Sequence, residues 1–380
     1  MPMHTSPAPP KITRPGIFLA AMMLISLLMH LEHLDKDLMS VHVWRQAQTQ
    51  TVIDNFYEED MHILRPRIDA RGDGEGIFRM EFPLMQWLVA AVYHVTGPHL
   101  LVTRLVMFVI GLFSVWGVYR LLKLLFSDPL PAVAGAWAFT FSPVFFYYMI
   151  NPLPDNLALC CALWAMVFFF RWYRDRRGVW SWLSGLFLAV ATLCKLPFIL
   201  FYAIPAMYLL RGVLRDRSWW RILVQTLPFF LLVLLPLAWY AWVIPSWRGN
   251  GIVGGMLDNQ VSWKTILDYL QHNLVSTLPE MLLNYGSLPL FLGGFWYLYR
   301  QRAYRDSRFP LLLALSVAVL LYFFFEINMI AKIHDYYLFP FLPLLFILTG
   351  YGAWHLMRAR RRFWRGLALF LLLLLPVTCY

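Results

Sequence analysis

The stretch from Asp35 to Leu100 concentrates the residues that can do chemistry. It interleaves carboxylates that can accept a proton, among them Asp37, Asp69 and Glu81, with guanidinium groups that can hold an anion, such as Arg45. Further polar residues stand at the ends of apolar runs: Asp155, Lys195, and the group Lys332, His334, Asp335 and Tyr336. A metal centre has no signature here. His30, His33 and His42 are spaced three and then nine apart, which does not put them on one helical face. The sequence identifies no cofactor, and leaves a divalent cation open.

The elements that must position these residues follow from periodicity. From Ser40 to Tyr57, Val41, Trp44, Val52 and Phe56 recur at helical spacing, while His42, Arg45 and Thr49 share another face. That describes an amphipathic helix on a membrane surface. A glycine-rich turn, Gly72 to Gly76, separates it from a second apolar segment, 83–96. Two surface helices joined by a charged loop can roof a cavity between spans; a solvated connector is the plainer alternative. A loop this long is usually functional.

Composition supplies the solvent. Of 380 residues, 60% are hydrophobic and 14% charged, against about half and about a quarter in soluble domains. The surplus requires a bilayer. The net charge of +11 does not imply nucleic acid, because the arginines sit in short clusters between apolar runs. The four cysteines lie in apolar stretches and are expected to be free thiols. Residues 1–15 are Pro-rich and expected to be a disordered cytoplasmic N-terminus, followed by an uncleaved first span.

Spans need about 20 apolar residues, which gives about eleven transmembrane helices: 16–34, 101–122, 130–150, 156–172, 180–194, 197–211, 222–243, 281–299, 309–326, 337–357 and 366–380. The pair flanking Lys195-Leu196-Pro197 is short and reads as broken. Basic clusters at Arg171–Arg177, Arg211–Arg221, Arg300–Arg308 and Arg358–Arg365 belong in the cytoplasm. This works only if 83–96 lies on the outer surface instead of crossing. The outward loops are then 35–100, 151–155, 244–280 and 327–336.

The block His42-Val43-Trp44-Arg45-Gln46-Ala47-Gln48-Thr49 is followed by Asn55-Phe56-Tyr57, Pro66-Arg67-Ile68-Asp69 and Glu81-Phe82-Pro83-Leu84. Ser142-Pro143, Pro154-Asp155, Leu193-Cys194-Lys195 and His334-Asp335-Tyr336-Tyr337 continue the pattern. The chain thereby resembles the bacterial branch of the protein O-mannosyltransferase and lipid A aminoarabinose transferase family, within the GT-C membrane glycosyltransferases. The resemblance implies an all-α polytopic fold, a single domain over 16–380, with two juxtamembrane helices in a first periplasmic loop. It also implies a polyprenyl-phosphate-linked sugar donor and an acidic base near the start of that loop. Relatives often carry Ala-Asp-Thr where this chain has Ala47-Gln48-Thr49. An amide cannot act as a general base, so another acid must serve or this copy is inactive.

Such a transfer needs a base and cations for the leaving phosphate. Asp69 and Glu81 are the candidate bases, with Asp37 behind them; each can also be a solvated loop carboxylate. Glu81 precedes the surface helix where the family carries an acid. Arg45 and Lys195 are the phosphate candidates, although Lys195 can instead snorkel. Asp155 can line the cavity or cap its helix. His42, Gln48, Lys332, His334, Asp335 and Tyr336 complete the candidate substrate-binding set. Trp44 and Tyr336 can stack on a sugar or sit in an aromatic belt.

The expected activity is an inverting glycosyltransferase of the bacterial inner membrane, working at the periplasmic face. Its acceptor is a glycolipid, polysaccharide or protein. The alternative is a non-enzymatic lipid-sugar flippase or transporter. Transporters commonly show matching halves with broken helices; the sequence shows no such halves, and no nucleotide-binding glycine loop.

Overall fold

A computed structural model describes residues 15–38, 41–215, 219–247, 261–330 and 334–379. The expected disorder of residues 1–15 falls almost wholly outside these, and so does Lys332. Helices dominate, and the only β-pairing among the described residues is two isolated bridges, Arg67–Ile77 and Ile330–His334.

The helices are α1 (Pro15–Leu34), α2 (Val43–Glu58), α3 (Leu84–Thr96), α4 (Leu100–Leu125), α5 (Pro129–Thr140), α6 (Pro143–Tyr148), α7 (Pro154–Asp175) and α8 (Gly178–Cys194). A 3₁₀ turn, Leu196–Tyr202, leads into α9 (Ala203–Arg215), α10 (Trp219–Leu232) and α11 (Leu234–Val243). After them come α12 (Trp263–His272), a π-helical stretch Asn273–Leu282, α13 (Leu288–Arg300) and α14 (Phe309–Phe325). A second 3₁₀ segment, Asp335–Phe341, opens α15 (Leu342–Met357), and α16 (Arg362–Cys379) follows.

Seven helical segments among the described residues are long and apolar enough to cross a bilayer, fewer than the eleven expected. Two of the other four, Gly178–Cys194 and Phe309–Phe325, are present as apolar helices of 17 residues, and a proline breaks a third, since the residue before a proline is pushed out of helical backbone. Ser142-Pro143 splits the expected span 130–150 into α5 and α6. Lys195 takes an extended conformation before Leu196-Pro197 and separates α8 from the next turn, as the broken pair implied. The span expected over 281–299 starts late, at Leu288, after the π-helical stretch.

The centre of the bundle is α7, packed between α4 and α8. α15 packs between α5 and α13 at close range. A Cβ on Gly350 would meet the Pro131 carbonyl at 2.5 Å, so only glycine lets these backbones approach. α3 does not cross. Its 13 residues extend only about 20 Å, short of the roughly 30 Å hydrocarbon core. Met85, Val89 and Tyr93 of α3 instead pack with Val52, Ile53 and Phe56 of α2 and Met107 of α4.

α2 departs from the amphipathic expectation. Val52 and Phe56 are buried as expected, but so are Arg45, Gln46, Thr49 and Asn55, while Val41 and Trp44 stay exposed. The helix turns a polar face inward because that face roofs the site described below.

The basic clusters gather at one end. Arg358 pairs with Asp128, Arg308 donates to the carbonyls of Leu124 and Leu125, and Arg211 donates to that of Ser307. A cavity of about 900 Å³ lies at this end, lined in part by Asp128, Arg308, Trp354 and Arg358. By the charge rule this end is expected in the cytoplasm. A cysteine at exposed Asp73 should therefore react with an impermeant maleimide in intact cells. One at Gln301 should react only after permeabilisation; the reverse pattern would overturn the orientation.

Candidate active site

The site assembles where α2, the loop before α3, the start of α7, the end of α8 and the 3₁₀ entry to α15 meet. Backbone contacts hold the loop down. The Phe82 amide donates to the Leu193 carbonyl at 2.9 Å, and Trp239 and Trp247 donate to the carbonyls of Met80 and Arg79. Glu81 is thereby carried inward to Arg45, and the loop is tied to α8 two residues before Lys195.

Arg45 Nη2 lies 2.6 Å from Glu81 Oε1, and both side chains are buried. Arg45 Nη1 also donates to Gln48 Oε1 at 2.7 Å, and Gln86 donates to Glu81 at 3.3 Å. Burial alone would push the Glu81 carboxyl up. The Arg45 charge, and then that of Lys195, outweigh it and hold the carboxyl below its ordinary range. Burial works against Arg45 too, and Glu81 more than restores its charged form.

Lys195 sits 3.3 Å from Asp155 Oδ2 and lies over the rings of Tyr336 and Tyr337, at 5.1 and 5.0 Å. Asp155 is 1% exposed. It is not the cap of α7: the cap is Leu153, and Asp155 follows Pro154 in the first turn. A buried carboxylate so placed gains from the helix dipole and from Lys195 together.

A third group completes the cluster. His42 Nε2 is 3.3 Å from Asp335 Oδ1, which also accepts from Tyr148 Oη at 2.6 Å. Tyr336 Oη is 3.1 Å from His334 Nδ1. Burial, and then the neighbourhood of Lys195, His42 and Arg45, lower the His334 pKa to about 4, so that ring is neutral at pH 7. Tyr336 is 2% exposed, which rules out a belt position.

Of the residues picked from the sequence, His42, Arg45, Gln48, Glu81, Asp155, Lys195, His334, Asp335 and Tyr336 come together. Asp69 does not. The Ile68 amide bonds back to Gly76, and this turn leaves Asp69 exposed, accepting from Asn55 at 3.1 Å. Asp37 is exposed as well, near the end of α1. Glu81 is central, but its pairing with Arg45 suits it to holding a cation more than to taking a proton. No cluster of metal-binding side chains occurs among the described residues.

Residues 81–242 match the family described as dolichyl-phosphate-mannose-protein mannosyltransferase. No curated protein matches the chain in sequence. Its structure is similar to that of ArnT from Cupriavidus metallidurans bound to undecaprenyl phosphate, with a TM-score of 0.65 and 17% identity. That match covers 93% of this chain and 62% of that one. The fold is GT-C. The apo form of the same ArnT aligns with a TM-score of 0.60 at 15% identity, over 89% of this chain and 59% of that one. AglB, an archaeal oligosaccharyltransferase from Archaeoglobus fulgidus in complex with an inhibitory peptide and a dolichol-phosphate, aligns with a TM-score of 0.56 at 13% identity. It covers 97% of this chain and 55% of its own length. The chain thus spans about three fifths of these neighbours, and its family resemblance is to the mannosyltransferase and ArnT group.

Two buried polar residues, the first of them at the site, escaped sequence reasoning. Tyr148 lies in what read as an unbroken span. Glu326 follows α14; it is buried, and Oε2 has no hydrogen-bond partner. The only available signal was a lone acid ending the apolar run 309–325.

The Arg45–Glu81 pair sets an expectation for stability. Glu81→Gln strands a buried guanidinium and should cost about 3 to 5 kcal/mol, read as a fall in melting temperature. Replacing both residues by methionine should recover most of it. Because the folded Glu81 carboxyl titrates below its ordinary value of 4.5, its contribution is full above that value. It is lost as pH falls through the depressed folded one. The native chain should therefore lose its advantage over Glu81→Gln in that acid window, and a constant gap down to pH 2 would contradict the pairing.

Proposed function

We propose that the protein is an inverting glycosyltransferase that moves a sugar from a polyprenyl-phosphate donor to a hydroxyl-bearing acceptor, at the periplasmic face of a bacterial inner membrane. The observation that carries this reading is two enclosed cations, buried Arg45 and partly buried Lys195, each paired with a carboxylate, with Lys195 set over the rings of Tyr336 and Tyr337. That cluster sits where the first outer loop meets the apolar helices. Such a place lets a phosphate reach fixed positive charge while a polyprenyl tail stays in lipid.

The leaving group of the transfer is a polyprenyl phosphate, whose negative charge grows as the glycosidic bond breaks. Lys195 and Arg45 are preorganised to meet that charge without reorganising at the moment of reaction. Glu81 and Gln48 hold Arg45 in place, and Asp155 holds Lys195. Tyr337, only partly buried, offers a ring to a sugar. ArnT bound to undecaprenyl phosphate and AglB in complex with a dolichol-phosphate share the fold, which supports a donor of the same class. A glycolipid, a polysaccharide or a protein can supply the acceptor.

Lys195→Gln removes one charge-assisted contact, worth about 1.5 to 3 kcal/mol. Affinity for undecaprenyl phosphate in detergent should fall roughly tenfold or more. Pairing the change with Asp155→Asn keeps the buried carboxylate from being stranded and separates binding from folding. Unchanged affinity in both variants would return Lys195 to a snorkelling role.

A further inference from the structure

We propose that His42, oriented by Asp335, is the general base of this transfer, and that the acceptor group is a neutral hydroxyl. This rests on the donor reading above. Gln48, beside Arg45, is an amide and cannot accept a proton, and the two carboxylates nearest the phosphate cations are committed to them: Glu81 to Arg45 and Asp155 to Lys195. A proton placed on either would dissolve an ion pair that burial makes expensive to break.

His42 is built differently. Asp335 lies 3.3 Å from Nε2, and an anionic acceptor there fixes the proton on Nε2. Nδ1 then carries the free lone pair, and the ring makes no capping bond to α2. Tyr148 steadies Asp335 at 2.6 Å from the other side. The orienting carboxylate comes from a segment nearly 300 residues away, so the contact is a product of the fold. The backbone pays attention to this residue as well: His42 has φ 54°, a left-handed conformation uncommon outside glycine and asparagine. Gln46 donates to the Val41 carbonyl at 2.9 Å and Tyr147 donates to it at 3.1 Å, pinning the turn that sets the ring. The ring meets Tyr336 edge-on at 5.2 Å, and Tyr336 is the ring on which Lys195 rests at 5.1 Å. Base and phosphate cation therefore contact the same aromatic ring.

The step balances without another reactant. The acceptor oxygen forms a bond to the anomeric carbon as the bond from that carbon to the phosphate oxygen breaks. The polyprenyl phosphate departs with the electron pair, and the acceptor proton passes to His42 Nδ1. Asp335 stabilises the imidazolium that results and stays ionised. An acceptor already ionised, such as a phosphate, would need no such base, which is why the dyad points to a hydroxyl.

The test uses the full chain in detergent or nanodiscs, with mannosyl- and glucosyl-undecaprenyl phosphate as labelled donors and solubilised cell-envelope material as acceptor. His42→Asn keeps a residue that tolerates the left-handed backbone but removes the basic nitrogen. Transfer should fall about a hundredfold or more, with undecaprenyl phosphate affinity within twofold of native. Asp335→Asn should also fall, and the double variant should be no worse than His42→Asn alone, because members of one catalytic unit are not additive. Added imidazole should restore part of the activity of His42→Ala, which a purely structural role would not allow. The product should be a glycoside that survives mild acid. Native-like transfer by His42→Asn, or an acid-labile product linked through phosphate, would overturn the proposal while leaving the donor reading intact. A native chain that fails to bind undecaprenyl phosphate would sink both.

Discussion

The buried pair of Arg45 and Glu81 is the contact on which the rest of the site depends. Neither charge can be left alone in so dry a place, because an unpaired buried ion costs several kcal/mol. Glu81 must therefore be drawn in to α2, and the loop from Asp60 to Pro83 is carried with it. The same strand of backbone bonds to the end of α8 through Phe82 and Leu193. One electrostatic requirement thus fixes the roof helix, the loop and the position of Lys195 relative to one another.

The second pair, Lys195 with Asp155, extends the same logic into the bundle. Prolines flank it: Pro154 starts α7 one residue before the carboxylate, and Pro197 lies in the first turn of the 3₁₀ segment that follows the extended Lys195. Broken helices at membrane depth are tolerated only where protein or a polar cavity satisfies the freed backbone. Here the breaks also present the polar side chains. The cluster combines two paired cations, two tyrosine faces and a histidine–aspartate contact, a set that charge stabilisation and proton transfer both require.

The two ends of the bundle differ in kind. At the basic end, Arg308 and Arg358 are satisfied by Asp306, Asp128 and backbone carbonyls, and the exposed arginines follow the charge asymmetry of a multi-pass protein. At the other end the charges of the site are buried or partly buried, while those of the surrounding loop, such as Asp69 and Asp73, stay exposed. That contrast separates residues that set orientation from residues that can do chemistry.

The sequence by itself determined the solvent, the helical class, the orientation bias and most of the polar candidates. Those follow from composition, from apolar run length and from charges that a bilayer penalises, all of which are local. It also identified the break at Lys195-Leu196-Pro197, because a charge and a proline interrupting an apolar run are local signals. Only the tertiary structure decided which candidates meet. Asp69 and Glu81 looked equivalent as loop carboxylates, yet the Gly76 turn turns one outward and Arg45 draws the other in. His42 and Asp335 carried no mutual signal at their separation in the chain. Glu326 and Tyr148 were hidden in apolar runs, since hydropathy averages over the few polar atoms that a fold can bring to one point.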